Sequence, residues 1–90
     1  MPWIVIIPPY TERDLRQLPD NIWRSAMETI ADLREEPFPE GSLQLKGFQN
    51  LYRVRFHGSH RIVYRVSVGR RRVIVERVRP RHRAYQGLRR

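Results

Sequence analysis

The strongest constraint on the fold is an alternation. In "YRVRF" (52–56) and "RIVYRV" (61–66) apolar and basic residues exchange places at every second position. That is the period of a strand whose two faces meet different surroundings. Tyr52, Val54 and Phe56 point one way with Ile62, Tyr64 and Val66, while Arg53, Arg55, Arg61 and Arg65 point the other way, with Val63 among them. "SLQLK" (42–46) reads as a shorter strand with Leu43 and Leu45 on one side, "VGRRR" as a turn, and "VIVERV" (73–78) as a further strand. A sheet with one apolar face needs a cover.

The N-terminal half supplies that cover. Trp3–Ile7 is a short β-branched run closed by Pro8-Pro9 and reads as a strand buried on both faces. Thr11 stands three residues before Asp14, a capping-box spacing that opens a first helix, with Leu15 and Leu18 as its apolar stripe. Pro19 ends that helix and Asp20 suits the N-cap of a second, in which Ile22, Ala26, Ile30 and Leu33 recur at helical spacing. Trp23 and Met27 lie beside this stripe and read as core, as does Trp3. "EEPFPEGS" is the connector, marked by Pro37, Pro39 and Gly41. The order β-α-α-β-β-β-β, followed by a short basic tail, predicts a single α+β domain over 1–90. It has a twisted antiparallel sheet, the helical hairpin on one face, and an open basic face opposite. For the central hairpin the expected pairs are 52:66, 54:64 and 56:62, through a turn at Gly58-Ser59-His60. Arg53 then lies opposite Arg65, and Arg55 opposite Val63.

Charge points to the partner. The net charge is +9, and it is segregated: residues 1–45 hold 4 basic and 8 acidic side chains, residues 46–90 hold 14 basic and one acidic. A half-chain at +13 favours a polyanion. All but one of those 14 cations are arginine, whose planar fork grips phosphate with two hydrogen bonds. There is no cysteine, which excludes disulfides and thiolate metal sites and fits a reducing compartment. "MPWIVIIPP" is too short and lacks the basic start of a secretion signal, and no run reaches the ~20 apolar residues of a membrane span. The expectation is a soluble, cytoplasmic protein with no membrane partner.

No Gly-rich phosphate loop, HExxH motif or Ser/His/Asp order is present, and His57, His60 and His82 show no metal-ligand spacing. What remains is an Arg/His/Tyr surface. Such groups suit metal-free RNA cleavage, in which the 2′-hydroxyl attacks the adjacent phosphate and arginines stabilise the charge gathered on the phosphorane. Histidine is the natural proton acceptor by pKa.

"LKGFQNLYRVRFHGSHRIVYRV" followed by "VIVERVRPRHRAYQGL" resembles the RelE/ParE superfamily of type II toxin–antitoxin toxins, over nearly the whole chain and including "IPPYTERDLRQLP". The resemblance implies either of two activities on one fold. RelE-like members are ribosome-dependent mRNA endonucleases that need no metal or other cofactor; ParE-like members inhibit DNA gyrase without cleaving RNA. A non-toxic RNA-binding module is the third reading. Carried over by position, the implied catalytic set is Arg55, Arg61, Arg81 and Tyr85. Lys46, Arg53, Arg65, Arg79, His82 and Arg83 would contact RNA. The "YRVRF" strand carries arginines where lysine is usual, and arginine is a poor general base, so the residues leave His57, His60 and His82 open for that role. The implied partners are mRNA, the ribosome and a cognate antitoxin with an acidic segment, bound in a hetero-oligomer.

Overall fold

In a computed structural model, which describes residues 2–88, the chain forms five strands, two α-helices and one 3-10 turn. They are β1 (Ile4–Ile6), α1 (Pro9–Arg16), α2 (Asp20–Glu35), β2 (Leu43–Gln44), β3 (Leu51–Phe56), β4 (His60–Ser67), β5 (Arg72–Pro80) and a 3-10 turn at Arg81–Arg83. The sheet order is β1-β5-β4-β3-β2. All neighbours are antiparallel except β1, which runs parallel to β5. The α+β architecture read from the sequence is therefore the observed one. No helix among the described residues is long and apolar enough to cross a membrane.

The period-two pattern sorts the faces as expected. Val54, Phe56, Ile62, Tyr64, Val66, Val73, Val75 and Val78 pack against Leu15, Ala26, Ile30 and Leu33 of the helices in one core. Tyr64 is fully buried, and its hydroxyl donates to the Pro37 carbonyl at 2.8 Å, fixing the connector over the sheet.

The register differs from expectation by two residues. The observed pairs are Tyr52↔Tyr64, Val54↔Ile62 and Phe56↔His60, which places Arg53 opposite Val63 and Arg55 opposite Arg61. The cause is the turn: His57 and Gly58 both take positive φ (47° and 69°). The chain thereby reverses within 57–59, and His60 is already paired. A slip of two leaves every side chain on its expected face.

Other details also depart. Thr11 and Asp14 do not cap α1, which starts at Pro9 after an extended Pro8. The Thr11 hydroxyl instead lies 2.6 Å from the Val75 carbonyl and 2.9 Å from that of Glu76. Asp14 accepts the Val78 N–H at 3.1 Å and Arg79 Nε at 3.0 Å. β1 covers only residues 72–74 of β5, so these two α1 side chains satisfy the edge that β1 leaves open. Asp20 is the first residue of α2, not its cap. As an edge strand, β1 is not buried on both faces; Ile4 is 57% exposed. Trp23 is 45% exposed rather than core, while Met27 and Trp3 are partly buried against it. β2 is shorter than expected, and its Leu43 is exposed.

The second sheet face is basic but not fully open. After Pro80 the chain folds back, and Ala84 buries itself with Leu51 and Val63, flanked by Leu45, Phe48 and Leu88. Val63 is thus the seat of a small second core.

Candidate functional site

The register builds a row of arginines. Across β3, β4 and β5, Arg55 lies opposite Arg61 and Arg61 opposite Arg79. Like charges directly opposed on neighbouring strands repel. Arg79 is neutralised by Asp14, with 3.0 Å between Nε and Oδ1. Arg55 stays exposed. Arg61, read from the sequence as presented on an open face, is only 5% exposed. Its Nη1 donates to the carbonyls of His60 at 3.0 Å and Gly58 at 3.3 Å. Among the described residues no carboxylate pairs with it.

Burial lowers the pKa of Arg61 from its ordinary value; the positive charges of Arg55, Arg53 and Arg81 add to this, and Tyr85 opposes it. These are the groups that surround the guanidinium. The site is assembled from three places. β3 carries Arg53 and Arg55, and β4 carries Arg61. The segment after β5 carries Arg81 and Tyr85, and the Arg81 N–H bonded to the Ser59 carbonyl at 2.8 Å ties that segment to the β3–β4 turn. Tyr85 is 44% exposed, so its ring is available to a ligand while Ala84 beside it is anchored in the second core.

A buried guanidinium with no counter-anion among the described residues, ringed by other cations, is costly in the free protein. The arrangement stores a preference for a dianionic or developing negative charge brought by a ligand.

The remaining candidates lie further out. Arg53 donates to the Gly41 carbonyl at 3.3 Å, toward β2. Lys46, His82 and Arg83 are exposed, Arg83 in a cleft shared with Asp14 and Leu18. Arg65 is not part of the cluster: its Nη1 donates to the Gln49 carbonyl at 2.6 Å and its Nε lies 3.5 Å from Glu76, in a separate cleft.

The three histidines do not converge on Arg61. His60 shares the helix-covered face with Phe56, their rings 5.4 Å apart, and lines a cleft with Asp14, Leu18 and Arg83. Its Nδ1 is buried without a partner, and burial, then His57, lowers its pKa. His57 sits in the turn, 6.4 Å from His60 ring to ring. His82 stands in the 3-10 turn between Arg81 and Arg83. No group of three or more metal-ligating side chains occurs among the described residues.

Sequence reasoning missed Tyr10, Glu76 and Arg77. β4 and β5 pair with an irregularity at Val63/Tyr64, so Glu76 is the extra residue and Arg77 pairs with Val63. The alternation breaks there without a glycine or proline to mark it.

A family model described as the ParE toxin of type II toxin–antitoxin system, parDE, matches residues 5–85. The fold is similar to the toxin–antitoxin complex RelBE2 from Mycobacterium tuberculosis (TM-score 0.78, 28% identity, 90% of this chain and 100% of that one). It is similar to the archaeal RelE–RelB complex from Pyrococcus horikoshii (TM-score 0.78, 29% identity, 93% and 100%). It also resembles, in fold alone, the YoeB/ParE toxin from Agrobacterium tumefaciens (TM-score 0.73, 23% identity, 86% and 96%). No curated protein matches the chain significantly.

Proposed function

The chain belongs to the ParE toxin family of type II toxin–antitoxin systems, within the RelE/ParE superfamily, and from that premise we propose that it is a toxin acting as a ribosome-dependent mRNA endonuclease. The observation that carries this reading is Arg61, a buried guanidinium with no carboxylate partner among the described residues, flanked by Arg55, Arg81 and Tyr85.

The reaction is attack of a ribose 2′-oxygen on the adjacent phosphorus. A P–O bond forms, the bond to the 5′-oxygen breaks, one proton leaves the 2′-hydroxyl and one reaches the 5′-oxygen. Arg61 and Arg81 stabilise the phosphorane, and one preorganised donor of this kind contributes roughly 100- to 1,000-fold in rate. Arg55 holds the reacting phosphate beside them. Tyr85 stacks on a base or orients the hydroxyl. Arg53, Lys46, His82 and Arg83 meet flanking phosphates or ribosomal RNA, as does Arg79 through whatever charge Asp14 leaves uncompensated. His82 and His57 are exposed and stay open for the role of proton acceptor, whereas His60 lies on the helix-covered face.

The antitoxin partner follows from the same charge: an acidic segment crossing the arginine face removes the repulsion between Arg55 and Arg61 and blocks the site. The related structure from Mycobacterium tuberculosis is a toxin–antitoxin complex, and that from Pyrococcus horikoshii is a RelE–RelB complex, which supports this pairing. We assign the protein to the cytoplasm, where its ribosomal target lies.

Primer extension on mRNA from a translating extract tests the reading. Discrete cuts with the wild-type protein and none with Arg61→Ala are expected. The family match to a ParE description favours one competitor, gyrase inhibition: intact mRNA together with trapped gyrase–DNA complexes would establish it and overturn the nuclease.

A further inference from the structure

A cleft of about 500 Å3 lies beside the Arg61 cluster, lined by Tyr10, Arg65, Glu76, Arg77, Gly87 and Leu88. Glu76 is the one acidic side chain in residues 46–90, and both its oxygens are engaged. Oε1 accepts the Tyr10 hydroxyl at 2.6 Å, and Oε2 lies 3.5 Å from Arg65 Nε. Burial, then the Glu76 hydrogen bond, push the Tyr10 pKa up to about 12, so the ring stays neutral.

Arg77 is different. Its guanidinium lies 5.0 Å from the centroid of the Tyr10 ring and meets no carboxylate among the described residues. Gly87 adjoins it: a Cβ there would stand 3.6 Å from Nη2. A cation–π contact fixes the plane of the fork and leaves its N–H donors uncommitted. Arg65, by contrast, is already neutralised. Among the described residues, the cleft therefore holds an oriented guanidinium with no carboxylate partner, on a scaffold of Tyr10, Glu76 and Arg65.

Its place relative to the arginine cluster is set by the register. Arg53, Val63 and Arg77 form one cross-strand row, which at ~4.8 Å per strand separates the outer two by about 10 Å at Cα. Ala84 sits on Val63 between them, so the C-terminal segment divides the basic face into two clefts.

We propose that this cleft is a second phosphate site for RNA, with Arg77 as the anion ligand for a nucleotide away from the scissile one; it rests on the endonuclease reading. An extended antitoxin peptide is the competing occupant. A peptide strand binds best at an unpaired sheet edge, and β4 and β5, the strands that line this cleft, offer none. β4 is paired on both sides, and the β5 edge is met by β1 and by Thr11 and Asp14. What is left is recognition by charge through a planar fork, which phosphate satisfies.

The test uses uncleavable 2′-O-methyl RNA, as a dinucleotide and as a longer oligomer, with the full chain. Arg77→Gln is expected to weaken the longer oligomer several-fold and to reduce the slope of log K against log salt by about 0.7. The dinucleotide's affinity should not change. Arg77→Lys, which keeps the charge, should restore the slope, and this distinguishes ligand contact from a structural role if Arg77→Gln melts at lower temperature. If Arg77→Gln binds the longer RNA like wild type while Arg61→Ala weakens both lengths, the cleft proposal fails and the endonuclease reading stands. If Arg61→Ala alters neither RNA binding nor mRNA cleavage, the endonuclease reading fails, while the Arg77 slope still reports on the cleft. Loss of antitoxin affinity in Arg77→Gln with RNA binding intact overturns the proposal in favour of a peptide site.

Discussion

A single side chain, Arg61, sets function against stability. Its guanidinium is buried with no carboxylate partner among the described residues, so its removal should relieve the free protein. Arg61→Met is expected to abolish mRNA cleavage, by at least the roughly 100- to 1,000-fold of one lost charge, without lowering the melting temperature, because an apolar chain of similar volume replaces an unpaired buried charge. Paired melting and primer-extension measurements check this; a large fall in melting temperature would show that the carbonyl bonds to Gly58 and His60 outweigh the burial. His60 gives a second residue-scale expectation. Its folded pKa lies below the ordinary 6.5, so the unfolded chain binds the extra proton first. Stability is then complete above about pH 6.5 and declines as pH falls toward the folded value. Wild type should lose more melting temperature than His60→Gln between neutral and mildly acidic buffer. Tyr85→Phe separates stacking from proton handling: little change in cleavage means the ring suffices, and a drop of roughly 10- to 100-fold means the hydroxyl is used, the lower part of the acid–base range.

Among the elements, α1 acts as an edge guard. Asp14 pairs with the Val78 N–H, which is buried, and with Arg79, which is partly buried. Asp14→Ala is expected to cost about 3 kcal/mol, the scale of leaving a buried ion unpaired, read as a lower denaturant midpoint with an unchanged m-value. Thr11→Val should cost about 1 kcal/mol, since it removes one buried hydroxyl donor and keeps the shape. These roles were not legible in the sequence, where Thr11 and Asp14 show only a local capping pattern; their partners are more than 60 residues away. The strands were legible because period two survives any even slip. That is why Tyr52, Val54 and Phe56 face the core as expected although the register moved by two. The register itself was hidden in the His57 backbone, since a positive φ at a non-glycine residue leaves little trace in composition. The cluster of Arg53, Arg55, Arg61, Arg81 and Tyr85 was legible as a set, through resemblance; the burial of Arg61 was not, because it depends on that same turn. The break at Glu76 hid Arg77 for the same kind of reason.

At the scale of the molecule, charge segregation governs association. Antitoxin affinity, measured by titration calorimetry, should fall as salt rises, and the bound antitoxin should raise the melting temperature by linkage. The free protein should itself melt higher in moderate salt, because screening relieves the +9 self-repulsion. The parallel pairing of Ile4–Ile6 with Arg72–Ile74 bears on synthesis. The first strand made finds its partner only after nearly the whole chain has left the peptidyl-transferase centre, and such distant pairing is slow to form. Arg81 and Tyr85 emerge later still. A nascent chain therefore carries its arginines for most of its translation without a finished sheet to array them on. The row of Arg55, Arg61 and Arg79 is thus the last part of the basic face to be arrayed, because it waits for β5 to pair with β4.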